Sequence, residues 1–380
     1  MKTINFLTGN FIPENCAGTN RILALVKELE KKYRINVICI SEKGDKPDDI
    51  VNFSKNVSVF YVHQKNYDSE KFYTRAVHEF YYAIKLALKS NKFPCDIIIA
   101  TSPQMFIIPS VGMFSKGKKI IDIRDLVWEY IDENSLYNKL VKKVITIFMK
   151  QTIKLYEYIT VTNTHEYRWI LENIPSAKIE KITNGIESFK FDELNTLTEK
   201  EVKPFTLTYI GNVGIAQNIK VLVDIAKKMK DIKINIIGEG NKYLELKNYA
   251  RKNQISNITF FGKVNRDEII KFYEQSSVLF AQLDEKFKAA MPSKLYEYAS
   301  TGLPIIYAGL GEARSFINRL ENCTTINPGD VKALEVAIKK YKDKPLKFSE
   351  NNKKFIYANF IREKQSAKMV DIVNKLLKEK

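Results

Sequence analysis

Hydrophobic positions along this chain come in two textures. Short, mostly apolar runs occupy residues 4–7, 36–40, 57–62, 96–100, 119–123 and 158–162, and again 206–210, 233–237, 258–261 and 278–280. Runs of this length, apolar on both faces, predict strands of a covered parallel sheet. Between them, apolar residues recur every three or four positions. Ile22, Leu25, Val26 and Leu29 set this pattern, and it returns over 72–90, 136–156, 166–171, 219–229, 243–252 and 267–275. Those stretches predict amphipathic helices. From residue 351 onward the pattern is helical, with two segments around Tyr357 and Val370. Strand, loop, helix and strand in alternation predict an α/β chain with doubly wound parallel sheets. Residues 189–205 (FKFDELNTLTEKEVKPF) are polar and break the rhythm, so the boundary between two domains, 1–190 and 204–360, is expected there.

One stretch carries more than pattern. Residues 287–307 read FKAAMPSKLYEYASTGLPIIY: a loop, a helix over 292–301 and the start of a strand. Pro292 suits a first helical turn, Ser293 stands beside it at the helix start, and Gly302 followed by Pro304 ends the helix. The N-terminus of such a helix offers free N–H groups and partial positive charge, with Lys294 one residue in. Glu297 lies about one turn further on, so a phosphate and a sugar hydroxyl pair are within reach together. A plain strand-loop-helix crossover fits the same residues. Gly18, in the loop 8–19 after the first strand, is either a simple turn or a place where backbone approaches a ligand. Arg124 and Asp125, just past a strand, are either a structural ion pair or groups facing a cleft.

Composition narrows the function. A length of 380 residues suits two domains, and 45% hydrophobic content allows each a full core. No apolar run approaches the roughly 20 residues of a membrane span. The polar Thr8, Gly9 and Asn10 interrupt the N-terminal apolar run, which therefore predicts a first strand and no signal peptide. Cys16, Cys39, Cys95 and Cys323 are scattered, which fits a reducing cytoplasm. His63, His78 and His165 are too few for a His-rich metal site. Asp96 stands alone, and Asp122 and Asp125 have the wrong spacing for a metal-binding DxD pair, so neither a metal nor another cofactor is expected. The net charge of +17 points to nucleic acid, an anionic membrane surface or phosphorylated substrates. The lysines are spread over helices and not interleaved with aromatics, which argues against nucleic acid. Residues 106–119 (FIIPSVGMFSKGKK) and the basic helix from Leu136 combine apolar and cationic positions suited to an anionic membrane surface. A buried helix with a solvated basic face fits them equally.

The motifs form an ordered series. PEN…G ends at Gly18; SPQ, IRDLVWE and ITNGIE follow. Then come YIGNVGIAQNIKVL, INIIGEGNKYLELK, ITFFGKVNRDEIIKFY and PSKLYEYASTGLPII. In this series the chain resembles GT-B retaining glycosyltransferases of family four, those that build bacterial O-antigen and capsule. The resemblance implies two Rossmann-like domains facing across a cleft. Residues 1–190 would be the acceptor side, with a C-terminal helix of about 362–380 packed back on it, and 204–360 would bind the nucleotide sugar. It implies transfer from a UDP-sugar donor, an N-acetylated hexose or deoxyhexose, to a polyprenyl-diphosphate-linked saccharide. The protein would be cytoplasmic and peripheral at the inner face of the plasma membrane, with the nucleotide sugar as substrate.

Roles follow by resemblance at matching positions. Glu297 would bind the ribose hydroxyls, and Ser293 and Lys294 the diphosphate. Gly18 would bring backbone N–H to the phosphate and reacting sugar. Gly262, Lys263 and Val264 would meet the base, and Glu239 the base or phosphate. Asn15, Arg124 and Asp125 are acceptor-side candidates. Two departures stand out. Ala289 occupies the place of the family's first glutamate, and Asn212 and Gln217 stand where the family often has Arg and Lys. Lys294 is the expected replacement for the missing cations. A non-hydrolysing sugar-nucleotide epimerase and a catalytically silent nucleotide-sugar-binding scaffold are the alternatives.

Overall fold

The structure, a computed structural model, describes every residue except 13–16, 42–49, 65–71, 200, 344–347 and 380. Asn15 lies outside the described residues. The chain divides into two compact units: residues 1–184 together with 362–380, and residues 185–361.

The first unit is built on strands β1 (Thr3–Thr8), β2 (Arg34–Ser41), β3 (Ile50–Ser54), β4 (Val57–His63), β5 (Ile97–Thr101), β6 (Lys118–Ile123), β7 (Tyr158–Val161) and β8 (Ile179–Lys181). Their order is β3-β4-β2-β1-β5-β6-β7-β8, parallel except that β3 runs antiparallel to β4 at the edge. Helices α1 (Ala17–Leu29), α2 (Phe72–Ser90), α3 (Ile107–Phe114), α4 (Leu136–Ile153) and α5 (Thr164–Asn173) connect them. Two apolar layers cover the sheet. One holds Leu7, Ile38, Ile98 and Ile121 with α2, α3 and α4; the other holds Phe6, Val37 and Ile99 with α1.

The second unit carries α6 (Ser188–Asn195), β9 (Thr206–Ile210), α7 (Lys220–Lys228), β10 (Lys233–Ile237), α8 (Tyr243–Lys252), β11 (Ile258–Gly262), α9 (Arg266–Glu274) and β12 (Val278–Gln282). It continues through α10 (Lys294–Thr301), β13 (Ile305–Ala308), α11 (Gly311–Ile317), β14 (Cys323–Ile326), α12 (Val331–Lys342) and α13 (Glu350–Asn359). The sheet order is β11-β10-β9-β12-β13-β14, all parallel. The last helix, α14 (Arg362–Lys378), belongs to the first unit. Its Met369, Ile372, Val373 and Leu376 are buried in the layer that holds Leu25, Val26 and Leu29 of α1. Lys118 Nζ donates to the Leu376 carbonyl at 2.9 Å and ties down the helix end.

Both sheets reverse direction of winding at one place. In the first unit it lies between β1 and β5, in the second between β9 and β12. Ligands of open α/β sheets bind beyond the strand carboxyl ends at such switch points. The loops that matter are therefore those after β1 and β5, and those after β9 and β12.

Three expectations are corrected. Gly18 is not in a loop: it lies in the first turn of α1, whose helix starts ahead of the apolar periodicity. The apolar part of 106–119 faces outward only at its end, where Met113 and Phe114 are exposed. Ile107, Ile108 and Val111 of α3 are wholly buried, as a short helix apolar on all sides should be. Finally, 189–205 is not a polar linker between units. It contains α6, whose Phe191 and Leu194 are buried in the core of the second unit, and its intervening charges disguise that spacing. Among the described residues no helix is long and apolar enough to cross a membrane.

Candidate functional site

In the second unit, α10 follows the loop after β12. Ser293 is its N-cap residue, but the backbone there is already helical and the hydroxyl makes no capping bond. Ser293 is exposed and Lys294 half-buried. Tyr298 fastens this helix to the sheet. Its buried hydroxyl accepts from the Ile210 N–H at 2.7 Å and donates to the Ile210 carbonyl at 3.1 Å. The start of α10 is thereby fixed at the end of β9, on one side of the switch point.

Glu297, the neighbour of Tyr298, uses both carboxylate oxygens. Tyr273 Oη donates to Oε1 at 2.7 Å, and Lys294 Nζ donates to Oε2 at 2.9 Å. Burial pushes the Glu297 carboxyl up. The charge and hydrogen bond of Lys294, the Tyr273 hydroxyl and the charge of Lys190 outweigh it, so the group lies below the usual range and stays ionised. Burial beside this carboxylate drives the Tyr273 hydroxyl far above its ordinary value, so it remains a donor.

A cavity of about 150 Å3 opens on this carboxylate, lined by Lys190, Glu193 and Leu194 of α6, Arg266, Ile269, Ile270 and Tyr273 of α9, and Lys294 and Glu297 of α10. The α9 residues share one helical face, spaced i, i+3, i+4 and i+7. The Glu268 carboxylate accepts from the Asn265 N–H at 3.1 Å and fixes the start of that helix. Arg266 links α9 to α6, pairing with Glu193 at 2.8 Å and stacking on Phe189 at 4.1 Å from the ring centre. The walls thus carry three cations, two carboxylates and an apolar side from Ile269, Ile270 and Leu194. Such a site accepts a polyhydroxylated, negatively charged ligand with a flat or apolar part.

The loops after β9, β10 and β11 are laced by backbone. Gly211 N donates to the Ile237 carbonyl at 2.9 Å, Val213 N to the Glu239 carbonyl at 2.8 Å, and Gly238 N to the Gly262 carbonyl at 2.7 Å. Gly238 has φ of 127°, and a Cβ there would lie 1.9 Å from the Gly211 carbonyl oxygen, so only glycine fits. Asn212 is exposed and donates to Gln217 Oε1 at 3.1 Å. Buried Gln282, ending β12, donates to the Gln217 and Asn218 carbonyls at 3.1 and 2.6 Å, closing the switch point from below. Glu239 and Lys263 are exposed and Val264 half-buried; a Cβ on Gly262 would lie 3.6 Å from Glu239 Oε1. Ala289 is half-buried in the loop before α10.

The first unit has its own cluster. The guanidinium of Arg124 lies on Gly18, where a Cβ would be 2.8 Å from Nη1. The close approach expected at Gly18 is thus filled by this arginine. Asp125 is hydrogen-bonded by Tyr130 and the Leu126 N–H, and burial pushes its carboxyl up despite them. Gln104 lies against Gly9, and its buried Oε1 has no hydrogen-bond partner among the described residues. The buried ion pair is a different one: Arg21 Nη2 and Nε donate to Asp122 at 2.7 and 3.0 Å, with Thr160 and Thr101 completing the carboxylate.

The structure therefore brings Lys294 and Glu297 together, Asn212 with Gln217, Gly262 with Glu239, and Gly18 with Arg124. Lys190, Tyr273, Arg266 and Gln282 were not foreseen. Lys190 comes from α6 and Arg266 and Tyr273 from α9, far apart in sequence, and no local spacing joins the two helices. Gln282 had a usable signal: a polar residue closing an otherwise apolar strand.

Comparison with known proteins agrees with this geometry. Residues 191–362 match the family described as glycosyl transferases group 1. A protein of Haemophilus influenzae described as an uncharacterized glycosyltransferase is 23% identical over 310 residues, 80% of each chain. Two solved structures are similar over nearly the whole length. WaaG, a glycosyltransferase involved in lipopolysaccharide biosynthesis, has a TM-score of 0.67 at 14% identity, covering 97% of this chain and 99% of that one. Anabaena Alr3699/HepE, in complex with UDP and glucose, has a TM-score of 0.65 at 12% identity, covering 98% and 100%. Residues 191–362 thus match the group 1 glycosyl transferases, in a chain that has the two-unit α/β fold of the GT-B glycosyltransferase structures.

Proposed function

We propose that this protein is a retaining glycosyltransferase of family four. It moves an N-acetylated hexose or deoxyhexose from a UDP donor to a polyprenyl-diphosphate-linked saccharide in O-antigen or capsule synthesis. One observation carries the reading: the ionised Glu297, held by Tyr273 and Lys294 at the start of α10, within the segment that matches group 1 glycosyl transferases. The UDP held by HepE and the lipopolysaccharide role of WaaG support the donor and product class.

In this reading Glu297 accepts hydrogen bonds from the two ribose hydroxyls. The Lys294 ammonium has three N–H donors; one holds Glu297 and the others reach the diphosphate. The anomeric C–O bond to the diphosphate breaks, and charge accumulates on the departing phosphate. Lys294 and the N-terminal N–H groups of α10 meet that charge as it grows. The acceptor hydroxyl attacks from the face the phosphate leaves, retaining the configuration, and its proton passes to the leaving phosphate. Ser293, Asn212, Gln217, Glu239, Gly262, Lys263 and Val264 line the donor side. Gly18 serves the phosphate and the reacting sugar through its backbone N–H, and Arg124 and Asp125 serve the acceptor. Protein cations supply the positive charge, so the reaction proceeds without a metal. A lipid-linked acceptor makes the protein peripheral at the inner face of the plasma membrane.

The test is a panel of nucleotide sugars offered with lipid-linked acceptors in the presence of a chelator. Nucleoside diphosphate release is followed, and the anomer of the product is read by NMR. Transfer with retention supports the reading. An inverted product overturns retention, and dependence on added divalent metal overturns metal independence. Epimerised donor formed without acceptor assigns the protein to the epimerases. Donor binding without turnover in any pairing leaves a silent scaffold.

A further inference from the structure

Helix α4 is apolar on two sides, and the fold buries only one. Met149, Thr152 and Ile153 enter the core of the first unit, with Ile145 packed against it. On the other side Leu136 is 86% exposed, Tyr137 62%, Leu140 61%, Val144 58%, Ile147 50% and Phe148 39%. At helical spacing these six fall within an arc of about 120°, as wide as the stripe by which a surface helix normally joins its core. Here the stripe points to water. An apolar patch rimmed by polar groups marks a surface that meets something.

Charge says what. Lys139, Lys143, Lys150 and Lys154 line one edge of the stripe, and α4 contains neither Asp nor Glu. A second copy of the chain would bring two such lysine edges together with no acid from either helix, and like charges oppose that contact. An anionic bilayer satisfies both features. The apolar stripe enters the acyl boundary, the lysines meet headgroup phosphates, and Tyr137 suits the interface between them.

We propose that the outer face of α4 is a docking surface for anionic phospholipid. It deepens the reading above by naming the element through which a protein with a lipid-linked acceptor reaches the membrane, and it rests on that reading for the choice of partner. The surface is on a different helix from Ile107, Ile108 and Val111 of residues 106–119, which are core.

Two arms keep the claims apart. Donor turnover with a water-soluble acceptor analogue reports on transfer alone. Co-sedimentation with vesicles of phosphatidylcholine, with and without phosphatidylglycerol, reports on the face. Wild-type protein should bind the mixed vesicles at low salt, and bind them less as salt rises. The double variant Leu140→Ser/Ile147→Ser should bind at least tenfold more weakly, from the lost apolar burial. Lys139→Glu/Lys143→Glu should lose about tenfold or more, and with it the preference for phosphatidylglycerol. Both should melt by circular dichroism as the wild type does, because the altered positions are exposed, and both should keep solution turnover. No vesicle binding at low salt overturns the proposal, and so does binding that both variants leave unchanged. A concentration-dependent dimer that Leu140→Ser/Ile147→Ser abolishes, without vesicle binding, overturns it in favour of a second copy.

Discussion

Glu297 is held by groups of opposite chemical use. Tyr273 is buried and fixed, whereas the Lys294 ammonium is half-exposed and has donors to spare. Their variants should therefore fail differently. Lys294→Ala is expected to lower kcat by about 10²–10³-fold with a smaller change in KM, since the charge it meets grows in the transition state. Steady-state kinetics showing only a raised KM would remove that role. Glu297→Ala should weaken nucleotide binding by about tenfold or more, read by calorimetry with UDP, because a charged acceptor is lost. Unchanged affinity would dismiss the ribose contact. Glu166 gives a test in the other unit. The three hydrogen bonds that its carboxyl accepts, from Thr162 N, Thr162 Oγ1 and Asn163 N, all go to Oε2. Burial, helped by the charge of Asp125, raises its carboxyl from 4.5 to about 7. A raised folded value means the folded form holds the proton more tightly. Its contribution is fully present below pH 4.5 and is lost as pH rises through 7. The loss amounts to about 3 kcal/mol. Glu166→Gln keeps the accepting oxygen and cannot ionise, so its stability should lack that decline. Denaturant titrations from pH 4 to 8 with equal slopes in both proteins would refute this.

At the scale of elements, what the sequence could reveal depended on how local the cause was. Strands β9 to β12 of the second unit are legible because each is a bounded, mostly apolar run, and 206–210 and 233–237 coincide with β9 and β10, whereas the half-buried β14 (CTTI) gives no such run. The helix carrying Glu297 is legible from Pro292 and Gly302, which act on their own neighbours. Helix α6 is not, because Phe191 and Leu194 are spaced for burial among five polar residues and their partners are remote in sequence. The same holds for the cavity beside Glu297, where α6 supplies Lys190. The Arg21–Asp122 pair spans 101 positions, and only the folded sheet joins it. Arg124 and Asp125, adjacent in sequence, leave an ion pair and cleft-facing groups both open; the fold lays Arg124 on Gly18 and gives Asp125 hydrogen bonds from Tyr130 and the Leu126 N–H. Glycine loops show the limit from the other side. The sequence marks Gly238 as a turn, and the structure adds that the Gly211 carbonyl fills the place of a side chain. Gly238→Ala should therefore cost several times the roughly 1 kcal/mol typical of a point change. Thermal unfolding within a degree of wild type would contradict it.

For the whole molecule, the division into two units has a direct test. Residues 185–361 have their own sheet and two apolar layers. Expressed alone, this fragment should fold cooperatively and bind UDP within about tenfold of the full chain. An unfolded fragment would show that its core depends on the remainder. The converse does not hold for residues 1–184, because Met369, Ile372, Val373 and Leu376 complete a layer of their core. Val373→Ala should cost about 2–3 kcal/mol, as for other fully buried aliphatic positions.

The return of α14 to the first unit also orders events on the ribosome. Synthesis runs from the N-terminus, yet the segment that closes the first core is made only after the whole of the second unit. Residues 185–361 emerge complete before that segment does. The unit second in sequence is thus the first able to finish folding during translation, and the first unit waits, one apolar layer open, until α14 has emerged.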